Sequence, residues 1–250
     1  GKGLRIKLRI QSPDLACLPW EFMYDPRGGE YVCLSTQTPM VRYIELPHSI
    51  EPLAVFPPLR ILGLIAGPCG LALLDVENEK HRMETALKGL IARDQVSITW
   101  QEHVTWRELQ RLMRTGQWNI VHFIGHGGFD RLNDEGVIAL EDEESNPHLL
   151  PASQLARLLA DHPSLRLVVL NACEGGQGSN KDIFSSTASI LVRRGIPAVM
   201  AMQYAITDRA AVEFTRGFYE AIADGLPVDA AVTESRKSIS IGVTARKSPR

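Results

Sequence analysis

Apolar residues in this chain follow two patterns, and the change from one to the other falls near residue 59. Before it, Leu4, Ile6, Leu8 and Ile10 alternate with Arg5, Lys7 and Arg9. A period of two predicts a strand with one face in water. Leu18-Pro19-Trp20-Glu21-Phe22 follows, then a turn at Asp25-Pro26-Arg27-Gly28-Gly29, a strand-like Tyr31 to Leu34 and another short strand at Val41 to Ile44. Prolines at 47, 52, 57 and 58 make residues 45–58 an irregular connector. The expected organisation is a β-rich amino-terminal lobe and connector over 1–58, then a main domain over 59–250.

From Leu59 onward, continuous apolar runs replace alternation. Leu59 to Ala66, Ile120 to Ile124, Leu167 to Leu170 and Ile196 to Met202 read as strands covered on both faces, and Val96 to Trp100 as a further strand. Helical spacing separates them. Asp75 to Ile91 carries Met83, Leu87, Leu90 and Ile91 on one stripe, and Thr105 with Glu108 forms a capping box for a helix to Thr115. A small hairpin is expected at Val137 to Leu140, and helices at Ala152 to Leu159, Asp182 to Arg194, Asp208 to Ala223 (N-capped by Thr207) and Val228 to Ser238. Strands alternating with helices imply crossover units, hence an α/β chain with a mostly parallel sheet between helical layers.

Two of the apolar runs end in small residues around one reactive side chain. Ile120 to Ile124 gives way to Gly125-His126-Gly127-Gly128, and Leu167 to Leu170 to Asn171-Ala172-Cys173-Glu174-Gly175-Gly176. Each reads as a strand that stops and exposes one histidine or cysteine at its carboxyl end, where open α/β sheets collect their chemistry. On neighbouring strands the two side chains would meet, and a cysteine beside a histidine is an activated nucleophile. The flanking glycines leave backbone N–H groups free to point at an anion. The N–H groups of Gly127 and Cys173 are thus the expected oxyanion donors, each worth ~2.7–4 kcal/mol toward a transition state. His122 lies four residues before His126, ~13 Å along an extended strand, so the pair cannot share a metal and His122 reads as a core residue. The remaining histidines (48, 81, 103, 148 and 162) form no cluster, and Cys17, Cys33 and Cys69 read as packing.

Composition narrows the class. A net charge of -2 leaves no basic footprint for nucleic acid. With 44% hydrophobic and 22% charged residues, the chain can bury a core. No apolar stretch approaches the ~20 residues needed to span a membrane. The four cysteines follow neither a metal spacing nor a dense disulfide pattern, which suits a reducing interior. No phosphate-binding motif is present, so no cofactor or metal is expected. Glu141 to Glu144 reads as a solvated tip, and the cations at 236, 237, 246, 247 and 250 as a solvated helix end and tail. Gly1 in place of an initiator Met suggests a piece cut from a longer protein, expected in the cytoplasm.

His126 and Cys173 stand 47 residues apart, near the ~50 of caspase-type proteases. Phe123-Ile124-Gly125-His126-Gly127 and Val169-Leu170-Asn171-Ala172-Cys173-Glu174-Gly175 resemble the two signature segments of CHAT-domain proteases, relatives of caspases, metacaspases and separases. The resemblance takes in Leu18-Pro19-Trp20-Glu21, Arg194-Gly195-Ile196-Pro197-Ala198-Val199, Ala201-Met202-Gln203-Tyr204 and Phe214 to Tyr219, continuing to Ser235-Arg236-Lys237. It implies a caspase-like three-layer α/β/α fold and a cysteine endopeptidase in which His126 is general base and acid, while Cys173 forms an acyl-enzyme. It also implies a bacterial multidomain protein with a sensor or repeat module in cis or trans, sometimes in antiviral defence. Asn171, Glu174 and Gln203 fall where relatives line the substrate pocket. Neutral Asn171 and acidic Glu174 point to an uncharged or basic residue before the scissile bond. The competing reading is a catalytically silent caspase-like module that a partner docks against.

Overall fold

The computed structural model describes residues 3–10, 12–16, 18–46, 56–71, 76–174, 183–202 and 207–244. They fold as two compact units, one drawn from 46–79 and 96–205, the other from 1–45, 80–95 and 206–250. The chain is mixed α/β with a central, mostly parallel sheet.

The first unit is built on that sheet. Its strands are β5 (Leu59–Ile65), β6 (Val96–Glu102), β7 (Ile120–Asp130), β8 (Glu135–Glu141), β9 (Pro147–Pro151), β10 (Leu167–Glu174) and β11 (Ala198–Ala201). The parallel order is β11-β10-β7-β5-β6, and β8 and β9 extend β7 as an antiparallel hairpin. Helices α3 (Trp106–Thr115), α4 (Ala152–Leu159) and α5 (Ile183–Arg193) connect the strands. Leu109, Leu112, Met113, Leu155, Leu159 and Leu191 of these helices share one apolar cluster with Leu62, Leu64, Val121, Phe123, Val168 and Leu170 of the sheet. The alternate sheet residues Ile61, Ile65, Ile120, Ile124, Leu167 and Val169 are buried as well. Burial on both faces is why these strands are continuous apolar runs.

A local signal accounts for the start of α3. Thr105 caps α3 by accepting from the Glu108 N–H, 3.1 Å. The second half of the expected capping box is replaced, since the Glu108 carboxylate pairs with Arg111. The helix expected from 75 to 91 is α2 (Val76–Ala92), divided between the two units; Met83, Leu87 and Leu90 are buried but Ile91 is 41% exposed. Ile91 thus lies at the margin of the apolar stripe, where period alone misjudged it.

The other unit joins the amino-terminal segment to the last two helices. β1 (Ile6–Leu8) pairs in parallel with β4 (Met40–Arg42), and β2 (Tyr24–Asp25) with β3 (Glu30–Tyr31) as a short hairpin. A one-turn helix, α1 (Pro13–Ala16), precedes Leu18-Pro19-Trp20-Glu21. Arg42 grips that motif, donating twice to the Glu21 carboxylate (3.0 and 2.9 Å) and once to the Leu18 carbonyl, 2.9 Å. Burial alone would raise the Glu21 pKa, but the Arg42 hydrogen bonds and charge outweigh it and hold the group below the usual carboxylate range. Tyr31 to Leu34 is not one strand: after Tyr31 the chain turns into a 3-10 helix, Val32–Leu34, which buries Cys33. Helices α6 (Asp208–Ala223) and α7 (Val228–Thr244) pack together, with Thr207 capping α6 at the Ala210 N–H. They cross closely at Gly217, where a Cβ would come within 2.8 Å of Ser238 Oγ and 3.3 Å of Ser235 Cα. The prolines at 47 and 52 lie outside the described residues.

Candidate active site

β7 is longer than its apolar run. It does not stop at Gly125 but continues through His126 and the glycines to Asp130. Its partners change along the way. Up to Ile124 it lies between β5 and β10, with Ile65 opposite Ile124 and the Ala66 N–H donating to the Ile124 carbonyl, 3.0 Å. There β5 leaves the sheet. From His126 onward β8 takes its place, with Ala139 opposite His126. The hand-over buries His126 to 5% exposure instead of exposing it at a strand end.

On the other side of β7, β10 runs in parallel without a break from Leu167 opposite Ile120 to Glu174 opposite Gly127. Cys173 is the register partner of His126. Adjacent strands lie ~4.8 Å apart, and register partners occupy the same face. That face is identifiable: Val121, Phe123, Val168 and Leu170 belong to the cluster under α3, α4 and α5, so the alternate positions His122, Ile124, His126, Val169, Asn171 and Cys173 share the opposite one. The structure thus brings the positions 126 and 173 side by side on one sheet face, at the level where β5 departs. Gly127 is half-buried beside the end of β10, opposite Glu174. Gln203 and the segment 175–182 lie outside the described residues.

Gly125 has a packing reason. A Cβ there would come 2.4 Å from Phe123 Cζ and 3.1 Å from the Ala66 carbonyl, so the phenyl ring occupies the space. His122 is a core histidine, 5% exposed; desolvation lowers its pKa from 6.5 to about 4 and keeps it neutral.

Two carboxylates were not legible as site components. Glu141 was expected in a solvated tip, yet it is 2% exposed. It ends β8 where β5 and β6 end, its Oε1 accepting from the Gly67 N–H (3.0 Å), its Oε2 meeting His103 Nδ1 (3.0 Å) and its N–H donating to the Val104 carbonyl (2.9 Å). The loop after β5 is further fixed by the Cys69 N–H donating to the Ser145 carbonyl, 2.8 Å. Glu79, in the first turn of α2, accepts from Asn171 Nδ2 at 3.4 Å. Neither carboxylate has a sequence signature, because each is defined by a partner more than 70 residues away in the chain.

A family model of the CHAT domain matches residues 4–246. The chain belongs to the CHAT-domain family. Membership carries the caspase-like reading of its α/β sheet and sets the His126 and Cys173 register in a protease-related family. No curated protein matches the chain. Among the described residues, no helix of this CHAT domain is long and apolar enough to cross a membrane.

Proposed function

We propose that this CHAT domain is a cysteine endopeptidase that cleaves a protein substrate through His126 and Cys173. The observation that carries the reading is the register of β7 and β10, which pairs those two positions on one face of the sheet. His126 takes the thiol proton, and the thiolate attacks the peptide carbonyl while the scissile C–N bond still holds. His126 then returns the proton to the leaving amine as that bond breaks, leaving an acyl-enzyme that water hydrolyses. A dyad suffices because a thiol needs less activation than a hydroxyl, and an adjacent imidazolium lowers its pKa. The Gly127 and Cys173 N–H groups are the proposed oxyanion donors.

In this reading the domain is the effector of a larger bacterial protein in the cytoplasm, governed by a sensor or repeat module. The near-complete burial of His126 supports a resting state with low unaided turnover. A thiol-reactive peptide probe should label the wild type slowly and label neither Cys173→Ala nor His126→Ala. In turnover, His126→Ala is expected to lose ~10²–10⁴-fold. Equal labelling of wild type and Cys173→Ala would leave the silent docking module as the better reading.

A further inference from the structure

We propose that two copies of this chain associate edge to edge through β6, antiparallel about a two-fold axis at Thr99, so that one sheet continues into the other.

A sheet edge presents backbone N–H and C=O groups that its single neighbour leaves unpaired, and proteins ordinarily guard it with proline, charge, a bulge or brevity. The edges of this sheet differ in that respect. β9 carries proline at both ends, Pro147 and Pro151, and β11 is four residues long. β6 has none of these devices. It runs seven residues, Val96 to Glu102, in unbroken register with β5 and with no other strand among the described residues. Its first charge is Glu102, and Ser97 and Thr99 are exposed. At that end Gln101 Nε2 donates to the Glu102 carbonyl, 2.8 Å, so the open stretch is Val96 to Gln101.

The order of side chains along β6 suits a second β6. Antiparallel pairing about Thr99 sets Thr99 opposite Thr99, Ser97 opposite Gln101 and Ile98 opposite Trp100 of the second copy, with Val96 against the stem of Glu102. Hydroxyl with hydroxyl or amide, and β-branched with aromatic, are cross-strand pairs that stabilise a sheet, and no like charges meet. Val96, Ile98 and Trp100 share one face with Gly63, across which the Trp100 ring lies: a Cβ on Gly63 would come 2.3 Å from Trp100 Cε3. Val96 is buried, but Ile98 and Trp100 are only half-buried, and the second copy covers their remaining apolar surface. Each edge is consumed by its twin, so the contact closes as a dimer and does not propagate into a fibre.

Sedimentation velocity of the full chain, from low to high micromolar concentration, should show monomer passing reversibly to dimer. Thr99→Lys puts two cations face to face across the axis and should keep the chain monomeric, with its melting temperature at low concentration unchanged. Thr99→Cys should cross-link under mild oxidant well beyond wild type, whose own cysteines set the background. Ser97→Cys, which faces Gln101 of the second copy and not itself, should cross-link far less. A wild type that stays monomeric at the highest concentration would overturn the proposal and leave this edge to a strand of another protein. A dimer that Thr99→Lys leaves intact, equal cross-linking at 97 and 99, or assemblies that grow past the dimer would overturn it as well.

Discussion

At the scale of single residues, the two histidines of β7 differ by environment. His122 sits among core side chains with a pKa of about 4, whereas the unfolded chain titrates near 6.5. Between those values the unfolded state binds the proton that the folded state refuses, so stability rises with pH across that window. The contribution is complete above pH ~6.5 and falls by about 2 kcal/mol by pH 5. Urea unfolding of wild type should therefore show a drop between pH 7 and 5 that shrinks in His122→Gln; parallel pH profiles would refute the assignment. His126, four residues on, keeps its place in the sheet but gains Cys173 as register partner. The sequence already separated the two, with His122 as a core residue and His126 as the candidate; the structure added their register partners on β10, Val169 for His122 and Cys173 for His126.

At the scale of elements, the hand-over from β5 to β8 along β7 organises the end of the sheet that carries His126 and Cys173. Glu141 holds that junction, and its loss would remove the side-chain acceptor of the Gly67 N–H and empty a buried carboxylate-sized space. Glu141→Ala should cost about 1–3 kcal/mol, and Glu141→Gln, which keeps an acceptor for Gly67, about 1 kcal/mol or less. Equal melting temperatures for the two variants would contradict the account. Gly125 is the second fixed point. Phe123 is fully buried and cannot yield to a new Cβ, so Gly125→Ala should destabilise by about 1–3 kcal/mol. Gly128→Ala, whose Cβ would meet only Val137 Cγ2 at 3.2 Å, should cost less. Thermal melts order the pair. The glycines themselves were evident in the sequence; that one of them serves an aromatic ring required the packing.

At the scale of the whole molecule, the first 45 residues and the final helix pair share one compact unit despite lying at opposite ends of the chain. Arg5 ties them, donating to Asp229 at the start of α7, 3.1 Å, where the carboxylate is almost wholly buried. Removing residues 1–45 would leave that carboxylate without its cation, a loss of several kcal/mol for a buried partner, here moderated by the half-exposed guanidinium. Hydrogen exchange on a 46–250 fragment should show α6 and α7 losing amide protection relative to the full chain. Unchanged protection would mean the two segments hold together independently.

By itself the sequence determined the order and kind of the main elements, because a period of two, a continuous apolar run or a capping threonine is written within a few neighbouring residues. It also nominated His126 and Cys173 and carried the resemblance to the CHAT family. Only the tertiary structure decided that β7 runs past its apolar segment, that His126 is buried opposite Cys173, and that Glu141 is a core residue. It also decided that Glu79 meets Asn171. Each of those depends on strands and helices that approach from tens of residues away. Burial and register are set by such partners, and no local pattern records them.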